Sequence, residues 1–210
     1  MSASNPMRRL LLAGAVLAAG AGATLFWQHG QREANAVEPP IDDVCVVPPA
    51  TRPSAHAYDP ASGRGIHEAR PIPTDARCAV CGMYPARFPR WAAQLIFADG
   101  AAHFFDSPVD LFMFLADPRR FGSTRDAGEG AARYVANFDD GRWLDAQTAS
   151  FVLGSSIRGP MRGPDLPAFA DAAAAQAFIA RHGGRLLHFD EVDLAVVDGL
   201  RSANHAHHTH

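Results

Sequence analysis

The chain has 210 residues, 48% of them hydrophobic, which suits one domain of moderate size plus a tail, or two small fused units. Its 19 basic and 22 acidic residues leave a formal charge of −3, and no basic patch marks a nucleic-acid binder. Only three cysteines occur, Cys45, Cys78 and Cys81, too few for a disulfide scaffold and odd in number, so at least one is unpaired.

Arg8 and Arg9 precede an uncharged run from Leu10 to Trp27. A basic segment before an apolar stretch is the pattern of an export signal or a membrane anchor. The run sits at the short end of what crosses a bilayer, about 17 to 25 residues. A small-residue triplet, Ala34-Asn35-Ala36, lies well beyond Trp27, so an uncleaved anchor is favoured over a cleaved signal. The arginines then stay inside and the remainder faces the periplasm. Residues 1–36 are assigned to this segment. No small-residue box directly precedes Cys45, so a lipid-modified cysteine is not expected there.

Residues 37–73 are dense in proline, which defeats both helix and ladder formation, and are read as an extended arm. Cys45, His56 and His67 lie within it and are taken as incidental or solvent-exposed.

The first unit is assigned to residues 74–140. After the cysteine loop, Trp91 to Ala98 has strand character, Asp99-Gly100 is a two-residue hairpin signal, and Ala101 to Phe105 returns as the second strand. That turn pairs Ile96 with His103 and Leu95 with Phe104. It puts Leu95, Phe97, Ala102 and Phe104 on one apolar face and His103 on the other, with Gln94 and Ile96. Ser107 can cap a helix with Pro108 at its first position and Asp110 as a capping-box acid. Val109 and Leu111 to Leu115 make that helix apolar nearly all round, so it is expected to be buried on most sides, with Met113 as core filler. Phe121 to Ala132 reads as loop and Arg133 to Phe138 as the next strand.

The second unit, residues 141–198, repeats this order. Arg142 to Ala146, Ser150 to Gly154 and Leu166 to Phe169 are strand material, with a stiff turn from Gly159 to Pro164 that carries Met161. Asp171 can cap a helix from Ala172 to His182, closed by Gly183-Gly184, and Arg185 to Phe189 is the last strand. The expected fold is α+β: two strand-strand-helix-strand units packed so that sheets and helices cover each other. Residues 199–210 form a histidine-rich tail, a weak collector of borderline metals or a solvated end.

The densest chemistry lies in Cys78-Ala-Val-Cys81-Gly-Met83. C-x-x-C alone fits a redox pair, half a zinc site or a copper loop. A structural zinc site wants four ligands, and here a second C-x-x-C is missing. A redox pair belongs near a strand-to-helix turn whose helix N-terminus lowers a thiol pKa, whereas this loop precedes a strand pattern. Thiolate and thioether together select copper(I), and a redox pair has no need of Met83. The candidate metal ligands are therefore Cys78, Cys81 and Met83, with His103 and Met161 as completions. Soft ligands near a surface would hold one ion and release it by ligand exchange. A thiol-disulfide protein using Cys78 and Cys81 and a structural zinc module are the competing readings. No Ser-His-Asp order, phosphate loop or paired-carboxylate motif suggests an enzyme.

The cysteine loop, Asp99-Gly100, Phe104-Phe-Asp106, Trp143-Leu-Asp-Ala146, Val152-Leu-Gly-Ser155, Gly159-Pro-Met161 and His182-Gly-Gly184, in that order over residues 74–195, resemble the NosL family. That resemblance implies a periplasmic copper(I) chaperone of two such units, with Cys81 and Met83 carrying the metal. It also implies a partner, nitrous oxide reductase or its membrane assembly complex of ABC-transporter type. Many family members are lipoproteins, and the basic-apolar start of this chain departs from that pattern.

Overall fold

The computed structural model describes residues 54–206. These belong to the second of two compact units, Cys45–His210; the first, Met1–Val44, lies outside the described residues, and with it the apolar run Leu10–Trp27. Cys45 and the last four residues, three of them histidines, lie outside them too. Among the described residues no helix is long and apolar enough to cross a membrane.

The fold is α+β. Strands β1 (Ala93–Phe97) and β2 (Ala102–Phe105) form a hairpin, followed by helix α1 (Pro108–Ala116) and strand β3 (Gly130–Ala136). Strands β4 (Trp143–Asp145), β5 (Ser150–Leu153) and β6 (Ala168–Phe169), helix α2 (Ala172–His182), strand β7 (Arg185–Leu187) and helix α3 (Leu194–Ala206) complete the order. All strand pairs are antiparallel, in a four-stranded sheet β2-β1-β3-β4 and a three-stranded sheet β6-β5-β7. The two units are thus β1-β2-α1-β3 and β5-β6-α2-β7, each with its first strand at the centre. Strand β4, which the sequence groups with the second unit, instead pairs with β3 at the edge of the first sheet.

Helix α1 is where the halves meet. Phe105, Leu111 and Phe114 share one cluster with Phe151, Leu166 and Leu187 from the second unit and with Val197 and Leu200 from α3. Phe112 bridges the units, its ring against Phe151 and Phe189 at centroid distances of 5.3 and 5.1 Å. The outer face of the second sheet is covered by α2 through Val152, Phe169, Ala175 and Phe178.

The arm differs from expectation over residues 54–73. His56 exchanges both backbone hydrogen bonds with Ala102 at 2.8 Å, and Ile72 packs against Ile96, Ala102 and Phe104. This stretch covers the face of the first sheet that has no helix. Its prolines prevent a long ladder, and one bridge, a few apolar contacts and hydrogen bonds linking the Gln94 and Tyr134 side chains to the backbone of Arg70 and His67 hold it. His67 is exposed as expected, whereas His56 is half-buried, edge-on to Phe104. Helix α3 also replaces the expected open tail as far as Ala206, with Val197 and Leu200 buried.

The hairpin register is one residue off the predicted one. Leu95 faces His103 and Ile96 faces Ala102, because the loop has three residues, Ala98 to Gly100, rather than two. Gly100 takes a φ of +79°, the left-handed geometry that such a loop needs in its last position. A Cβ there would also lie 2.7 Å from Ile66 Cγ1 on the arm. A one-residue slip turns every side chain to the other face. Leu95, Phe97 and Phe105 therefore point to the central core with His103, and Ile96, Ala102 and Phe104 point to the arm.

Candidate metal centre

The cysteine loop is pinned from below by Ala76, Cys78, Ala79 and Val80, all buried, so that Cys81 to Tyr84 remain half-exposed. Gly82, at φ +76°, lets its N–H donate to the Cys78 carbonyl at 3.0 Å while the Cys78 N–H donates to the Met83 carbonyl at 2.7 Å. Cys78 forms a parallel bridge with Phe104, which lays the loop beside the end of β2. There the chain turns through Asp106 into α1, capped by the Ser107 hydroxyl, which accepts from the Asp110 N–H.

Two carboxylates meet the two thiols at this junction. The Cys78 thiol donates to Asp110 Oδ2 at 3.1 Å and the Cys81 thiol to Asp106 Oδ1 at 3.0 Å. One ligand atom from each of the four residues lies within 4.8 Å of all the others. The second oxygen of Asp106 is buried without a hydrogen-bond partner. A buried acceptor without a donor costs about 1–3 kcal/mol, a cost that a cation or a proton shared with the neighbouring Asp110 carboxyl would relieve. Asp106 and Asp110 were not among the sequence candidates, although both flank the cap of an otherwise apolar helix. An acid within a helix that is apolar all round has to be buried, and that was the available signal.

The electrostatics run opposite to those of a reactive thiol pair. A helix N-terminus does lie beside the cysteines, supplied by a separate segment, but its effect is offset by the acids it carries. Burial pushes the Cys78 thiol well up, reinforced by its hydrogen bond with Cys81 and by Asp110 and Asp106. For Cys81 the adjacent Cys78 thiol works downward, yet burial and the two carboxylates outweigh it and push the thiol up to about 12. Burial also raises Asp110, with Asp106 adding repulsion. Metal-free, the two thiols and Asp110 hold their protons more tightly than usual.

The second unit reaches the same junction through Asp165. Its buried carboxyl accepts from the Leu166 N–H at 2.8 Å and is also hydrogen-bonded to the Ser107 hydroxyl and the Val109 N–H. Burial, with the Asp106 charge adding to it, pushes it up to about 7. Gly159 is needed here, because a Cβ on it would lie 2.6 Å from Asp165 Cβ.

The other sequence candidates fall in different places. Met83 closes the loop through its carbonyl and is half-buried, and Met161 is half-buried on the Gly159–Pro164 turn. His103 is not in the thiol–carboxylate group. The register shift wedges its imidazole among Phe97, Phe114 and Phe105 instead, at centroid distances of 5.7, 5.0 and 6.4 Å. Burial, with the positive charges of His56 and Arg125, pushes it down to about 4. The unfolded chain takes up its proton near 6.5, so stability falls as pH drops from about 6.5 to about 4, by on the order of 3 kcal/mol. In a His103→Phe variant that acid-side loss is expected to shrink, as read from denaturation midpoints across this pH window.

Together these features define a class, small two-unit α+β proteins that present a sulfur-and-carboxylate centre for a cation at a half-open loop. The chain belongs to the NosL family, whose model matches residues 69–197. It is 33% identical over 129 residues to the copper-binding lipoprotein NosL of Stutzerimonas stutzeri, covering 61% of this chain and 67% of that protein. It is 28% identical over 123 residues to the copper-binding lipoprotein NosL of Achromobacter cycloclastes, covering 56% and 63%. The crystal structure of the copper chaperone NosL from Shewanella denitrificans superposes with a TM-score of 0.54 at 31% identity, covering 61% of this chain and 98% of that one.

Proposed function

We propose that the protein is a copper(I) carrier, not an enzyme, that holds one ion at the Cys78–Cys81–Met83 loop and passes it on by ligand exchange. The observation that carries this reading is the convergence of two thiols and two carboxylates, one carboxylate oxygen orphaned, under a loop only half-covered by protein. The names of its relatives, copper-binding lipoprotein and copper chaperone, supply the cargo. Copper(I) replaces the thiol protons, which are released to solvent, and the Asp106 and Asp110 carboxyl groups that accept from those thiols line the point of exchange. Affinity for copper(I) therefore rises with pH while both thiols start protonated. The carrier is periplasmic, attached to the membrane through its N-terminal segment, and serves the maturation of nitrous oxide reductase, directly or through a membrane assembly complex. The lipoprotein relatives support the attachment.

One observation favours a second cargo. With Asp106 and Asp110 the centre has four donors, enough for zinc, which the sequence left with half a site. The redox reading loses ground, because thiols held above their ordinary range are poor nucleophiles.

An anaerobic copper(I) competition titration, run in parallel with zinc, tests the proposal. One copper(I) per chain is expected, bound more tightly than zinc and weakened at least about a hundredfold in Cys81→Ser/Met83→Ala. Tight copper binding unchanged in that variant, or zinc outcompeting copper(I), would overturn it.

A further inference from the structure

The half-exposed side of the cysteine loop carries a charged rim that the metal centre does not use. The Arg77 guanidinium lies 3.8 Å over the Tyr84 ring and donates to the Gly82 carbonyl at 3.0 Å, between Cys81 and Met83. Arg87 stacks on the same ring at 4.8 Å. Both arginines are exposed, and neither pairs with a carboxylate of the described residues. The ring holds both guanidinium groups close together, and beyond the Arg77 Nη1–H given to Gly82 their other N–H groups suit a two-pronged grip on carboxylates.

We propose that Arg77, Tyr84 and Arg87 form a docking rim for an acidic protein surface that surrounds the soft-ligand site of a copper-exchanging partner. The inference rests on the carrier reading and adds the recognition step. Three arguments converge. Ligand exchange requires the partner's donors to reach Cys81 and Met83, so the residues stacked beside them fall inside any such interface. Arginine and tyrosine are the side chains that most often dominate interface energy. A positive rim around a cation site also disfavours capture of a free ion and favours approach by an anionic surface that brings or takes it. The chain as a whole is acidic, so the rim is a local reversal of sign.

The test uses the metal-free full chain and short labelled synthetic peptides in which methionines are set among glutamates, with serine in place of glutamate as control. Anisotropy titration is expected to show binding of the glutamate peptide that is at least about tenfold tighter than that of the serine peptide at low salt, and that weakens as salt is raised. Arg77→Ala/Arg87→Ala is expected to lose that advantage while keeping its copper(I) stoichiometry and affinity against an uncharged chelator. Arg77→Lys/Arg87→Lys, which keeps the charge but not the forked geometry, is expected to fall between the two. Equal binding of the glutamate peptide by parent and alanine variant would overturn the proposal. So would an arginine dependence seen only with phosphatidylglycerol vesicles, which would assign the rim to a membrane surface. A parent chain that fails to bind copper(I) would strike the carrier reading alone, since the peptide titration needs no metal.

Discussion

Asp106→Asn is expected to weaken cation binding at the loop about 10- to 100-fold, the range seen when the groups that orient metal ligands are removed. Asparagine keeps the shape and an acceptor for the Cys81 thiol but cannot balance the charge of an ion. Asp110→Asn is expected to weaken binding by a similar factor and to stabilise the metal-free protein at neutral pH. The sign follows from linkage. Asp110 lies buried against Asp106 with its carboxyl held well above the ordinary value of 3.8, so folding takes up a proton. Stability therefore falls as pH rises through the window between the unfolded and folded values, and the amide, which does not titrate, escapes that fall. Competition titrations for affinity and urea midpoints over a pH series for stability give both readouts. A centre that loses affinity while the fold gains stability is one in which the protein tolerates strain for the sake of a ligand. Unchanged affinity in both variants would make the acids bystanders and leave the sulfur ligands as the whole site.

Phe112→Ala is expected to destabilise the protein by about 3–5 kcal/mol, a large share of the stability of a domain this size. The ring is 5% exposed and touches Phe151 of β5 and Phe189 beyond β7, so its loss opens a cavity between the units. Because the central cluster draws on both units and on α3, unfolding is expected to remain a single transition in the parent chain. Tryptophan fluorescence reports the first sheet through Trp91 and Trp143, and hydrogen exchange in α2 reports the second unit. Coincident midpoints support one shared core, and separate midpoints would show that α1 does not couple the halves. The consequence for function is direct, since α1 presents Asp106 and Asp110 from its N-terminus and its position is set by that core.

Locally determined features were legible in the sequence. Ser107, Pro108 and an apolar run define α1, and Asp171 with Gly183 defines α2, because caps and periodicity act over one or two turns of chain. The sulfur chemistry of Cys78-x-x-Cys81-Gly-Met83 was legible for the same reason: its spacing brings the two thiols onto one loop without help from the rest of the fold. What depends on segments far apart was not. The hairpin register turned on one residue of loop length, decided by Gly100 packing under Tyr58 and Ile66 of the arm, and that one residue moved His103 from the arm face into the phenylalanine cluster. The partners of the thiols lie 25 and 32 residues away, at a strand-to-helix junction that is laid beside the loop by the Cys78–Phe104 bridge and the shared apolar cluster. Asp110 read as a cap and Asp106 as the residue just before the helix, since neither shows in sequence that burial will raise the proton affinity of Asp110 or leave an oxygen of Asp106 unpaired. The candidate sulfur donors were therefore written in the sequence, whereas the charge, burial and accessibility of the centre were decided by tertiary packing, because electrostatic energy depends on what surrounds a group in space and not on what precedes it in the chain.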